Sequence, residues 1–293
     1  MDPDFHRDSL LENAFSFRTA LSLARAADLA YEDDSETLGA VIADWGMKPA
    51  VIFSHDETEG FIARDDELVV LAFRGTVSIT DWLRNLKIAR REVEMGKVHG
   101  GFHEGLEAVW ADHVEPTLRE AADSGHKVWI TGHSLGGALA TLAAAWCHEW
   151  LDVAGVYTFG QPLVGNRSFA RLFNSKFHNR FHRFVNASDI VPKVPPAPLF
   201  AHVDQRVRFD KEGDIIEESS SRDLGEEEIE AMSEEEFEEI QRLLEVHEYA
   251  LDEDEDGARG LLPNLPFMSG ISDHNMGEGY IPKLRKSAES ETS

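Results

Sequence analysis

Residues 127–150 read KVWITGHSLGGALATLAAAWCHEW, and this stretch decides the fold. The run before Gly132 alternates as a buried strand does, and the run after Ser134 holds small residues and helix formers at helical density. A serine therefore stands between Gly132 and Gly136 where a strand turns into a helix. That turn needs glycines because any side chain at those positions would clash across it, and it leaves the serine hydroxyl exposed. The new helix also aims free N–H groups and the positive end of its dipole at any oxyanion forming beside the serine. Read only as packing, the same residues are a glycine-rich turn with a capping serine. The strand before and the helix after favour a nucleophile, and Ser134 is the candidate.

Outward from the turn, an amphipathic helix is expected over 9–32, with Leu11, Phe15, Ala20, Leu23, Ala27 and Tyr31 near helical spacing, packed over the sheet edge. VIFSH at 51, GFIAR at 60 and ELVVLAFRG at 67 read as consecutive strands, the last apolar enough for a central position. A helix at 103–124 follows, then strand 127–132, helix 135–150, strand 154–159, helix 166–177, strand 180–186 and strand 202–209. This alternation predicts an α/β fold with a mostly parallel central sheet flanked by helices. Ligands of such sheets bind beyond the carboxyl ends of the strands, where Ser134 falls.

The length of 293 residues fits one domain spanning 1–293. The single cysteine, Cys147, has no internal partner and reads as a buried structural thiol. There is no run of eighteen apolar residues, and MDPDFHRDSLLENAF lacks a basic start and an apolar core. The expectation from this is a cytoplasmic protein, with export by a route lacking such a signal left open. The formal charge of −27 speaks against nucleic acid as a partner. Most of it lies in 210–257, which holds 22 acidic residues against Lys211, Arg222 and Arg242. The charge thus belongs to an acidic, mainly helical insertion at 210–260. Within it Ile229, Met232, Phe237, Ile240, Leu244 and Tyr249 trace one apolar helix face.

In α/β hydrolases a nucleophilic serine is followed along the chain by its acid and then by its histidine. Asp189 ends a strand and opens the proline-held loop IVPKVPP, the right place for an acid at a strand's carboxyl end. Its rival, Asp152, ends the helix after Ser134, at the opposite edge. Beyond Asp189 remain His202, His247 and His274. His202 sits in an alternating strand pattern and His247 among glutamates, whereas His274 follows a Gly/Ser loop and precedes the last helix. His274 is the expected base.

With these residues in place, the chain resembles the class 3 lipase family, the fungal-type triacylglycerol lipases among the α/β hydrolases. FRGT at 73–76, VHGGF at 98–102, GHSLGGALA at 132–140, FGQPLVGN at 159–166, NASDIVPKVPP at 186–196 and DHNMGEGY at 273–280 carry the resemblance. It implies the α/β-hydrolase fold and a serine carboxylester hydrolase of lipid metabolism, a lipase or esterase. The implied catalytic set is Ser134, Asp189 and His274, with the backbone N–H groups of Thr76 and Leu135 as the oxyanion hole. His274 then takes the proton of Ser134 during attack on the ester carbonyl, and Asp189 holds the imidazole. The chemistry implies no cofactor and no metal. Arg74 and His133 read as structural neighbours.

The family's movable lid falls on VSITDWLRNLKIARREV, where Ile79, Trp82, Leu83 and Leu86 line one face of a short helix. As a lid it would make transient contact with a lipid interface through Trp82. The segment GLLPNLPFMSGI at 260–271 offers a wall for an acyl chain, with Leu262, Leu265 and Phe267 as its apolar members. Asp252, Asp254, Asp256 and Gly257 open like a calcium loop, but Pro263 stands where its glutamate belongs, so a solvated acidic run is the expectation and calcium is not. The expected partner is an acyl ester or lipid substrate. Two other functions share the pattern: a binding or signalling protein on the same fold, and an acyltransferase in which an alcohol replaces water.

Overall fold

In the computed structural model, which describes residues 2–12, 14–203, 206–219, 231–253 and 267–291, eight strands form one sheet. They are β1 (Lys48–His55), β2 (Thr58–Arg64), β3 (Leu68–Phe73), β6 (Lys127–His133), β7 (Val153–Phe159), β8 (Phe181–Asn186), β9 (Arg206–Phe209) and β10 (Ile215–Ser219), in that spatial order. β3, β6, β7, β8 and β9 run parallel, and antiparallel pairs extend the sheet at both ends. A separate hairpin joins β4 (Arg90–Val93) to β5 (Gly96–His99). This is the α/β-hydrolase arrangement.

The composition of β3 explains its central place. All six residues of LVVLAF are buried, with Val69, Leu71 and Phe73 in the core on one face and Leu68, Val70 and Ala72 in the core on the other. A strand that is apolar on both faces is stable only with helices on both sides. One face is covered by α1 (Phe17–Leu29) and α10 (Ile281–Ser290), and α2 (Ser35–Asp44) packs beside β1. The other is covered by α4 (Gly100–Val109), α6 (Leu135–Cys147) and α7 (Arg167–Phe177). Cys147 is fully buried at the end of α6, and burial pushes its thiol up to about 12.

Two helices differ from expectation. The helix read over 9–32 is a short 3-10 turn, Arg7–Leu11, followed by α1, because Ser16 accepts the Thr19 N–H at 3.0 Å and starts a new helix. α1 lies across β6 and β7 rather than over the sheet edge. The helix read over 103–124 begins at Gly100, where the His99 ring accepts the Phe102 N–H, and passes through a π turn at Trp110–Val114 before α5 (Glu115–Ser124).

The acidic stretch is not helical throughout, since Ile215–Ser219 adds the edge strand β10. Its helix, α8, runs over Glu234–Glu253. Met232, Phe237, Ile240 and Leu244 are buried in the same core cluster as Leu83 and Phe102. Ile229 and the side chain of Tyr249 lie outside the described residues. α8 packs against α3 (Ile79–Asn85), and Met232 exchanges backbone hydrogen bonds with Lys193 and Ala197 of the loop after β8. Truncating a buried phenylalanine removes ~3–5 kcal/mol when its element unfolds with the whole. Phe237→Ala is therefore expected to lower the urea-unfolding free energy by about that amount. A loss below ~1 kcal/mol would mean that α8 opens independently of the core.

Candidate active site

Ser134 lies between β6 and α6 with φ 57° and ψ −128°, a conformation rare for any residue with a side chain. Close packing enforces it. A Cβ on Gly132 would collide with the Gly136 carbonyl, and one on Gly136 with the Phe73 carbonyl of β3. The serine is fully buried, and its Oγ has no hydrogen-bond partner among the described residues. Leu135 follows as the first residue of α6, so its N–H is one of the unpaired donors of a helix start.

Asp189 stands just after the carboxyl end of β8, 1% exposed. Its Oδ2 accepts from His274 Nδ1 at 2.8 Å and from the Tyr280 hydroxyl at 2.6 Å, and its Oδ1 accepts from the Val191 N–H at 2.9 Å. Burial and the neighbouring Asp189 charge hold the Tyr280 hydroxyl well above its ordinary value, so it stays a donor. Gly160, at φ 57°, leaves the space this pair occupies, since a Cβ there would sit 2.6 Å from the His274 ring and 2.8 Å from Asp189 Oδ2.

His274 is 2% exposed, and its Nε2 makes no hydrogen bond to the described residues. Ser134 and His274 are thus not hydrogen-bonded to each other, and such contacts are often loose without a ligand. The loop carrying His274 is tied to the acid loop, where Asn186 Nδ2 donates to the Asp273 carbonyl at 2.7 Å and the Ser188 N–H to its carboxylate at 3.0 Å.

Three residues have hydrogen bonds here that the sequence did not reveal: Tyr280, Tyr31, expected only on a helix face, and His133, expected only as a structural neighbour. His133 Nε2 donates to the His274 carbonyl at 2.7 Å, and the two rings lie 4.3 Å apart. Burial and the nearby His274 keep His133 well below its ordinary value, so it is neutral and its Nδ1 accepts from the Tyr31 hydroxyl at 2.7 Å. Tyr31 in turn accepts from the Gly75 N–H. The chain from Gly75 to His274 joins the end of β3 to the histidine loop. Tyr280 lies within DHNMGEGY, but nothing in that segment reveals a partner 91 residues away.

A cavity of about 280 Å³ opens beside His274 and is lined by Thr76, Ile79, Tyr31, Asp28 and Ile271 among others. Of the expected cover residues, Leu83 and Leu86 are buried and Trp82 is half-buried, stacked on Phe102 with centroids 6.4 Å apart; none of the three lines this cavity. Phe267 is buried with Val191 and Val194. Leu262, Leu265, Asp254, Asp256, Gly257 and Pro263 lie outside the described residues, as do the side chains of His247 and Asp252. Asp152 is 96% exposed in an ion pair with Arg180, far in role from the serine. His202 is half-buried, with its Nε2 against the Pro192 carbonyl. Arg74 binds Asp33 and Glu59 and lies over the Tyr31 ring.

Residues 70–199 match the family described as Lipase (class 3). The chain is 32% identical to the secreted mono- and diacylglycerol lipase 1 of Fusarium solani over 46% of its own length and 42% of that protein's. It is 36% identical to a lipase of Rhizomucor miehei over 50% and 43%. The matched region thus spans about two fifths of these curated relatives. Among solved structures, it superposes with a TM-score of 0.58 and 30% identity on a triacylglycerol lipase whose catalytic centre is a serine protease triad, covering 67% of this chain and 82% of that one. The expected cytoplasmic location is overturned here, because a relative named as secreted points outside the cell. That expectation rested on missing apolar residues near position 1, and a missing pattern does not fix a compartment.

The buried histidines set a pH dependence. Burial keeps His133 and His202 well below their ordinary value and lowers His182 to about 4. Each stays neutral in the fold and gains a proton more readily when unfolded, so its contribution is full above the unfolded pKa of ~6.5 and is lost as pH falls. His182 alone is expected to cost about 2 kcal/mol between pH 7 and pH 5. Urea midpoints that stay flat over this range would refute it.

Proposed function

From a chain that belongs to the class 3 lipase family and holds this serine, aspartate and histidine at one end of its sheet, we propose a serine carboxylester hydrolase acting on acyl esters. The observation that carries the reading is the buried Asp189–His274 pair, with a free Nε2, beside the unpartnered Ser134 of a strained elbow. His274 Nε2 takes the Ser134 proton as Oγ attacks the ester carbonyl. Asp189 accepts the Nδ1 proton, fixing the tautomer and stabilising the imidazolium. The N–H groups of Thr76 and Leu135 hold the oxyanion, an arrangement in which one donor is worth on the order of 10²–10³ in rate. The alcohol leaves with the proton from His274, and water then releases the acid from Ser134 by the same steps in reverse order.

Tyr280 and His133 are positioning residues in this scheme. Tyr280 neutralises part of the Asp189 demand for donors, and His133 fixes the carbonyl of His274. The catalytic set needs no metal or organic cofactor.

α3 is the cover of the site. Gln241 of α8 donates from its Nε2 to the carbonyls of Leu83 and Arg84 at 3.0 Å each and of Leu86 at 3.2 Å. These carbonyls end α3 and have no helical partners. The amide therefore latches α3 to the acidic helix, and α3 presents Trp82 to a lipid surface only after that latch parts.

Purified protein is expected to hydrolyse p-nitrophenyl esters, and Ser134→Ala to lower kcat/KM by at least three orders of magnitude. Failure of every chain length from C2 to C16 would leave a binding protein. Gln241→Ala is expected to raise turnover of water-soluble esters several-fold and to reduce the gain on adding an emulsion. Equal profiles for the two proteins would remove α8 from control of the cover.

A further inference from the structure

A second cavity, of about 320 Å³, opens between the β4–β5 turn, the last two turns of α6 and the start of α7. It shares no lining residue with the cavity beside His274. Trp146 in its wall stands at the far end of α6 from Ser134, roughly 18 Å along the helix at 1.5 Å per residue. Its interior is aromatic and apolar. Trp110 and Trp146 both line it, with ring centroids 5.1 Å apart and planes at 77°, and Phe169 of α7 adds a third ring. Met95 and Leu142, both buried, lie beside them.

The rim is acidic. Glu94 and Glu149 are exposed there, neither is in an ion pair among the described residues, and no lysine or arginine lines the cavity. α6 ends at the same wall with no basic residue in its last turn, so the negative end of its dipole adds to the two carboxylates. His148, which follows the helix, commits its Nδ1 N–H to the Ala145 carbonyl at 2.9 Å. Together these features select by charge and by hydration. A fatty carboxylate would meet two like charges and the wrong end of a helix. A primary ammonium would lose water to side chains that offer no acceptor in the interior, which is costly. A quaternary ammonium carries no N–H to satisfy. Its methyl groups bury apolar surface against Met95 and Leu142, aromatic rings hold its charge without a hydrogen bond, and the carboxylates lie at the entrance.

We propose that the cavity walled by Trp110, Trp146 and Phe169 and rimmed by Glu94 and Glu149 binds an organic cation of the trimethylammonium class. The site is separate from that of ester chemistry and does not depend on the hydrolase reading. Its ligand group occurs both on free small molecules and on the headgroups of zwitterionic lipids, and the two sources differ in whether a membrane comes with it.

The test uses the full chain and two probes of one shape: choline, and 3,3-dimethyl-1-butanol, in which a neutral carbon replaces the nitrogen. Titration calorimetry is expected to show choline bound about tenfold more tightly, the scale of attraction between a cation and desolvated aromatic rings. Glu94→Gln combined with Glu149→Gln is expected to lower the choline affinity severalfold and to leave that of the alcohol unchanged. Both positions are exposed, so the urea midpoint of this variant stays where it was. Trp146→Leu is expected to remove most of the preference for choline, and should that variant not fold, the paired glutamine variant decides. Sedimentation with phosphatidylcholine vesicles separates the sources. Protein that sediments, and ceases to when both glutamates are replaced, takes the group from a lipid; protein that binds choline and stays in solution takes it from a soluble molecule. Equal affinity for the two probes, no binding of choline, or choline binding untouched by the paired glutamine variant overturns the proposal.

Discussion

The close approach of β6, α6 and β3 around Ser134 is the constraint on which the site depends. Gly132 lies against the Gly136 backbone, and Gly136 against the Phe73 and Arg74 carbonyls, at distances that exclude any side chain. The serine between them is forced to positive φ, a conformation costing ~1–3 kcal/mol. The helix that follows offsets this. Ala138, Leu139, Ala140, Ala143 and Ala144 of α6 are fully buried, and the helix sits between β3 and β7 on one face of the sheet. A helix so small in its side chains can lie close enough to the sheet to hold the turn in its strained form.

A second constraint is electrostatic. Asp189 is a charge with almost no contact with water, and isolating a carboxylate in a protein interior costs several kcal/mol. Three donors from three segments answer it: the Val191 N–H in its own loop, His274, and the Tyr280 hydroxyl at the entry to α10. The carboxylate thereby recruits the C-terminal helix into the architecture of the site. Lys283 adds to the same junction by binding the Asn186 side chain and the Asp210 carbonyl. The acid is then as much an organiser of the packing of residues 273–283 as a partner of His274.

What was legible in the sequence follows from how local each signal is. The elbow, β3 and the acid loop could be read because glycines, an apolar run and prolines act within a few residues of themselves. Helix boundaries were less legible, since Ser16 and His99 act as caps only in a particular backbone geometry. The β4–β5 hairpin escaped because RREVEMGKVH has no clear alternation of apolar and polar residues. α2 escaped although Asp34 accepts from the Thr37 N–H as an ordinary cap does. Tyr31 and Tyr280 could not be found at all from spacing. Their partners lie 102 and 91 residues away, and a tyrosine that donates to a buried acceptor looks the same in sequence as one that only packs.

The acidic stretch shows how a strongly charged segment can belong to a folded body. α8 turns Phe237, Ile240 and Leu244 to the core and leaves Glu234, Glu235 and Glu238 in solvent, so the charge costs little where water screens it. Its apolar residues pack with Leu83 of α3, and its hydrogen bonds to the end of α3 come from a neutral amide. The carbonyls that end α3 form the negative end of a helix, and a glutamate beside them would be repelled. Gln241, an amide among glutamates, meets them as a donor. Among the described residues, the position of α8 that bonds these carbonyls is thus neutral for an electrostatic reason, while Glu234, Glu235 and Glu238 keep its outer face acidic. An acidic face of this kind favours uncharged or cationic surroundings over an anionic lipid surface, because approach to the latter would set glutamates against like charge.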